Sequence, residues 1–147
     1  YQPGKAEEPF YGERYLPRKF KIGIAIPPEN DSDVLANDIA LIAIIENDEL
    51  VGFNVAVGGG MGMTYGETAT FPRLATMAGF VAKDKVVKAC EAIAAIQRDF
   101  GDRTVRSHAR FKYTIDDHGI DWFNEKFTEY HGEAMQPARI VEVHQQH

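Results

Sequence analysis

The sequence predicts an α+β domain: a mixed or antiparallel sheet with helices packed on one side. Apolar runs of strand character fall in the first 57 residues, and helical periods appear only after residue 84. There is no internal repeat and no regular strand–helix alternation, which argues against a doubly wound sheet. At 147 residues, with 44% apolar and 26% charged side chains, the chain suits one domain with a real core rather than a disordered or fibrous protein.

Residues 1–18, with Pro3, Gly4, Pro9, Gly12 and Pro17, hold no sustained period and read as an extended arm or connector leading into a domain over 19–147. From Lys19 to Ile26 apolar and other residues alternate until Pro27-Pro28 ends the run, the pattern of a strand with Lys19 and Lys21 on one face and Phe20 on the other. Ile39–Glu46 and Leu50–Val57 flank Asn47-Asp48-Glu49 and form an antiparallel hairpin that runs into Gly58-Gly59-Gly60. Asp84–Phe100 carries Val86, Val87, Ala89, Cys90, Ile93 and Ile96 at helical spacing, with Asp84 as N-cap and Gly101 as stop. A further helix from about Ile120 to Tyr130 places Phe123, Phe127 and Tyr130 on one side and ends at Gly132. The tail Ala138–Val143 suits a final strand.

Charge and cysteine content narrow the function. Twenty-two acidic and 16 basic side chains leave a net charge of −6, unlike the basic footprint of a nucleic-acid binder. The longest apolar run, Ile39 to Ile45, is strand-sized, so no membrane span is expected. The chain opens on Tyr1 with no visible secretory signal, which reads as a cytoplasmic piece cut from something larger. Cys90 is the single cysteine; it excludes an intrachain disulfide or a thiolate cluster built from this chain and suits a small buried thiol. The five histidines fall in unrelated contexts, and no metal-ligand spacing is present.

Local basic clusters therefore stand out. Arg18, Lys19 and Lys21 put three cations within four residues, either solvated on an edge strand or gathered around a small anion to which lysine ammonium groups can pass protons. Arg98, Arg103, Arg106, Arg110 and Lys112 form a second cluster, opposed in that stretch only by Asp99 and Asp102. If helical, residues 103–112 align Arg103, Arg106 and Arg110; if extended, they align Arg106, His108, Arg110 and Lys112. Gly58-Gly59-Gly60-Met61-Gly62 follows a strand but lacks the G-x-G-x-x-G spacing of a dinucleotide fingerprint, so it is a tight turn or a place where backbone approaches a ligand.

Seven segments, taken in order, resemble the central region of the sirohaem sulfite and nitrite reductases: Tyr15-Leu-Pro-Arg-Lys-Phe-Lys21, Ala36-Asn-Asp38, Val51-Gly-Phe-Asn54, Val57-Gly-Gly-Gly-Met-Gly62, Thr70-Phe-Pro-Arg-Leu-Ala75, Gln97-Arg98 and Ala109-Arg-Phe-Lys-Tyr113. The resemblance implies that Lys19 and Lys21 contact sulfite and that Arg18 helps hold the macrocycle. It further implies that Arg110 meets the sirohaem carboxylates and that the Gly58, Gly59, Gly60 turn packs near the ring. Arg106 and Lys112 fall within or beside the same words and are carried over as cofactor-binding. Relatives specialised for nitrite tend to have Asn where this chain has Lys21, which favours sulfite.

The physics of such a site suits these residues: a carboxylate-rich macrocycle and an anion undergoing multi-electron reduction both need dense positive charge and proton donors. In the family a [4Fe–4S] cluster is held by Cys-x5-Cys and Cys-x3-Cys words, and this chain has neither. Sirohaem and the cluster are accordingly expected in the full-length parent and not on this piece. The implied partners are sulfite, an electron donor that is a flavoprotein subunit or ferredoxin, and the remaining domains of the same polypeptide. The rival readings are a sirohaem nitrite reductase piece, an anionic tetrapyrrole- or phosphate-binding module without redox chemistry, and a structural domain with basic surface decoration.

Overall fold

The computed structural model describes residue 16 and residues 19–26, 32–62, 71–104 and 109–140. Four strands, β1 (Ile22–Ala25), β2 (Ile39–Glu46), β3 (Glu49–Val57) and β4 (Thr76–Ala82), form one sheet in the order β1-β2-β3-β4. β1 runs parallel to β2, and the other two pairings are antiparallel. Three helices follow, α1 (Val86–Phe100), α2 (Phe111–His118) and α3 (Ile120–His131). This is the mixed sheet of an α+β domain.

Strand alternation divides the side chains between two faces. Ile39, Leu41, Val55, Val57 and Val81 meet Ala89, Ile93 and Ile96 of α1, Phe111 and Ile115 of α2, and Phe123 and Phe127 of α3. All three helices thus cover one face. The other face carries a smaller cluster, Ala40 and Ala56 with Ala25 and with Val34 of a 3₁₀ turn over Ser32–Ala36.

Local chemistry sets the boundaries, and several differ from expectation. Glu49 pairs with Glu46, so the hairpin closes on two residues only, Asn47 (φ 52°) and Asp48 (φ 62°). Two positive φ values in a two-residue loop match the right-handed strand twist, and Asn and Asp tolerate them best after glycine. β1 is shorter than the alternation suggested, because ladder pairing begins only at Ile22. Asp84 does not cap α1: it lies in a 3₁₀ turn, Lys83–Lys85, and the helix starts beyond it with no side-chain cap. Gly132, at φ 96°, ends α3 as predicted, whereas Tyr130 is partly exposed rather than buried with Phe123 and Phe127.

The final strand is also corrected. Pairing occurs earlier, where Gln136 exchanges backbone hydrogen bonds with Phe80 at 2.7 and 3.0 Å, and residues 138–140 form no strand; the rest of that stretch lies outside the described residues. Buried Asn54 explains why the chain leaves the ladder. Its amide donates to the Arg139 carbonyl at 2.6 Å and accepts the Arg139 N–H at 2.8 Å. The Arg139 guanidinium then lies 4.0 Å from the centre of the Phe80 ring.

Candidate functional site

The site lies at one end of the sheet, where β1, β2 and β4 begin and β3 ends. Several backbone hydrogen bonds tie these ends together: Ile39 N–H to Lys21 carbonyl (3.1 Å), Gly58 N–H to Asp38 carbonyl (2.9 Å), Gly59 N–H to Asn37 carbonyl (3.1 Å) and Ala75 N–H to Leu35 carbonyl (2.8 Å). Gly60 and Arg73 exchange both of theirs at 2.7 Å.

The glycines are required by the protein's own packing. Gly58 sits at φ 83°, and a Cβ there would lie 2.8 Å from the Ile115 side chain. At Gly59 the same atom would strike the Leu35 carbonyl. The tight-turn reading therefore has a cause inside the fold. Arg73 reinforces the turn, donating to the Gly58 carbonyl at 3.1 Å and to the Thr76 hydroxyl at 2.9 Å, with Asp116 3.5 Å from its Nε.

Lys112 is 1% exposed. Its ammonium donates to the carbonyls of Gly62 (2.5 Å), Phe71 (2.6 Å) and Gly60 (3.4 Å), the three acceptors an ammonium can satisfy. Burial, then the nearby Arg110 charge, lower its pKa, and the Asp38 charge opposes them. Lys112 thus acts on any ligand through the loop it holds. The first turn of α2 is held from behind by buried Gln97, which donates to the Ala109 carbonyl at 2.7 Å and accepts the Thr114 hydroxyl at 2.8 Å.

Neither geometry foreseen for residues 103–112 holds. Arg110 is extended (φ −78°, ψ 154°) immediately before α2, while Lys112 is helical, so neither a continuous helix nor a continuous strand carries both; residues 105–108 lie outside the described residues. Arg98 pairs with Asp99 at 2.9 Å, and Arg103 donates to the Arg98 carbonyl at 2.5 Å, which engages that half of the cluster at the end of α1. Arg110 turns instead toward the glycine-rich turn, where a Cβ on Gly62 would lie 3.6 Å from its Nη1.

The lysine segment converges on the same place. Phe20 packs against the core with its ring 5.3 Å from that of Phe111, while Lys19 and Lys21 are exposed, the alternation read from the sequence. Asp38 joins the parts: it is 2% exposed and accepts the Lys21 N–H on Oδ2 at 2.7 Å. Burial raises its pKa, and the Lys21 N–H and the charges of Arg110 and Lys21 oppose that rise. Among the described residues no hydrogen bond or ion pair engages the side-chain cations of Lys19, Lys21 or Arg110. Arg18 and Arg106 lie outside the described residues.

Residue types alone did not single out Asp38, Arg73 or Gln97, although each falls within a word of the family resemblance. A buried carboxylate under a cationic surface leaves no periodic signal. Elsewhere, His118 stacks on Trp122 with ring centres 4.0 Å apart and His131 on Phe127 at 4.8 Å, which makes them packing partners.

A model of the nitrite and sulphite reductase 4Fe-4S domain matches residues 1–135. The chain belongs to this family. It is 61% identical over 132 residues to the sulfite reductase [NADPH] hemoprotein beta-component of Lysinibacillus sphaericus, covering 90% of this chain and 23% of that protein. It is 56% identical over 141 residues to the protein of the same name from Paenibacillus sp., covering 95% and 24%. The solved structure of the Mycobacterium tuberculosis NirA protein superposes with a TM-score of 0.73 at 29% identity, covering 90% of this chain and 23% of that one. The chain thus spans about a quarter of the length of the curated relatives it matches.

The residues fit one of the family's cofactors and not the other. A [4Fe–4S] cluster takes four thiolates, and this chain offers only Cys90, whose thiol burial pushes up to about 11. Among the described residues no group of three His, Cys, Asp or Glu side chains is placed to hold a metal ion. A carboxylate-rich macrocycle does suit the exposed lysines and Arg110. No described helix is long and apolar enough to cross a membrane.

Proposed function

We propose that this chain is an internal piece of an assimilatory sulfite reductase hemoprotein, whose whole form reduces sulfite to sulfide by six electrons at a sirohaem/[4Fe–4S] centre. The observation that carries the proposal is the buried Asp38 carboxylate, which accepts the Lys21 N–H at 2.7 Å and feels the charges of Lys21, Arg110 and Lys112, while the Lys19 and Lys21 side chains are exposed. The names of the relatives agree with this reading.

In this reading Lys19 and Lys21 bind the sulfite oxygens. Each oxygen leaving as water takes two protons, and ammonium groups within reach deliver them and recharge from solvent. Arg18 and Arg110 hold sirohaem carboxylates through guanidinium forks. The Gly58–Gly60 backbone lies beside the ring, kept in place by Lys112, and Arg106 adds a further cation from the segment before α2. Sirohaem, when bound, would pass to sulfite the electrons that the external donor supplies. The reading of residues 1–18 as a connector into a domain over 19–147 falls, apart from residue 16, outside the described residues. The parent works in the cytoplasm with a flavoprotein subunit or ferredoxin as donor, and its remaining domains bring the cysteine words.

The test uses the full-length parent. Lys19→Met and Lys21→Met should each lower sulfite turnover about tenfold or more, the loss expected when one charge stops acting on a bound anion at close range, while the haem spectrum persists. Arg110→Ala should instead lower sirohaem content. Unchanged turnover in both lysine variants overturns the proton-delivery role, and a cysteine-free reading frame after His147 leaves only an anion-binding module.

A further inference from the structure

Lys21 occupies a vulnerable position in the backbone. It precedes the first residue of β1, and its carbonyl is held by the Ile39 N–H at 3.1 Å. Its own N–H has no strand partner on β2, because β2 begins at Ile39. The Asp38 carboxylate takes that place, accepting the N–H at 2.7 Å from a position 2% exposed. The main-chain carbonyl of Asp38 meanwhile accepts the Gly58 N–H at 2.9 Å. One residue therefore ties the lysine segment to the glycine-rich turn, by its side chain on one side and its backbone on the other.

We infer that Asp38 is the positioning residue of the cation site, fixing through its hydrogen bond to the Lys21 N–H where the Lys21 ammonium is presented. It touches no substrate in this role and acts through Lys21. A carboxylate suits the position because either oxygen can accept the Lys21 N–H, whatever its orientation. The inference rests on the sulfite reading proposed above.

The experiment measures sulfite affinity in the full-length hemoprotein from the sulfite-induced change in the haem spectrum. Asp38→Ala should weaken binding about tenfold. Asp38→Asn keeps an acceptor oxygen, so it should restore most of that loss. In a Lys21→Met background Asp38→Ala should have no further effect, because the group it positions is gone; general damage to the fold would still add. Fully additive losses, or an Asn variant as weak as the Ala variant, overturn the positioning role. A wild-type parent that takes no sulfite overturns the underlying reading and this inference with it. A parent that takes sulfite equally well with Asp38→Ala overturns this inference alone.

Discussion

The Lys112 ammonium lies 2.5 Å from the Gly62 carbonyl, so a charged residue inside α2 serves as the anchor of a glycine-rich turn fifty positions earlier in the chain. The same ammonium reaches Phe71, bracketing the segment between the two carbonyls. Lys112→Met would keep the volume and leave the Gly62 and Phe71 carbonyls without this donor, while the Gly60 carbonyl keeps the Arg73 N–H. The chain should lose about 2–3 kcal/mol of stability, the usual consequence of leaving buried acceptors unpaired. Chemical denaturation of wild type and variant checks this, and equal midpoints and slopes would deny the anchoring role.

Gln97 makes a second prediction. Both of its polar atoms are satisfied by the segment that carries Arg110. Gln97→Leu removes both partners and should destabilise the chain by roughly 2–4 kcal/mol, leaving the Ala109 carbonyl and the Thr114 hydroxyl buried without their present partners. Gln97→Glu keeps the acceptor for Thr114 and loses the donor to Ala109, so it separates the two bonds. Thermal unfolding reads the difference.

Asp38 carries a pH signature with a definite sign. Its carboxyl is held above the ordinary value of 3.8, chiefly by burial. Folding therefore favours the protonated form. The stability it contributes is complete below that ordinary value and is lost as the pH rises through the folded value. Asp38→Asn, which cannot ionise, should gain in melting temperature relative to wild type as the pH is raised from about 3 to 7. A relative loss over the same range would contradict the assignment.

Cys90 should be a poor nucleophile. Burial, helped by Glu91, pushes its thiol to about 11 from an ordinary 9.0. At pH 8 only about one molecule in a thousand is thiolate, against roughly one in ten for an unperturbed thiol, so alkylation by iodoacetamide should be about a hundredfold slower than for a free cysteine. Its rate should keep rising tenfold per pH unit beyond pH 9. A plateau near pH 9 would show an unperturbed thiol.

The readable parts of the fold were those whose signal is local. The pairing of β2 with β3 across a short polar turn, the body of α1 and the Gly132 stop of α3 follow from turn chemistry and from apolar residues at fixed spacing, although the turn is one residue shorter than Asn47-Asp48-Glu49. β4 and α2 drew no such reading. Gly79 of β4 faces the Gln136 carbonyl and the Met135 side chain, where a Cβ would lie 2.7 Å from each, so a distant segment fixes that strand. In α2 the five residues Phe111 to Ile115 are all buried, which erases the polar face by which a helix is recognised. At the site, the exposed lysines announced themselves by residue type. The lone pairs that organise them, on Asp38 and on the Gly60, Gly62 and Phe71 carbonyls, belong to contacts between positions 17 or more apart in the chain.

The central claim is that cations from separate segments act together on one anion, and the salt dependence of sulfite binding in the full-length hemoprotein tests it most directly. Wild-type affinity should fall steadily as ionic strength rises from about 0.01 to 0.5 M, where the Debye length contracts from about 30 Å to a few ångströms. The slope should flatten in a Lys19→Met/Lys21→Met variant that retains its haem. The same slope in wild type and variant would show that these lysines do not face the bound sulfite.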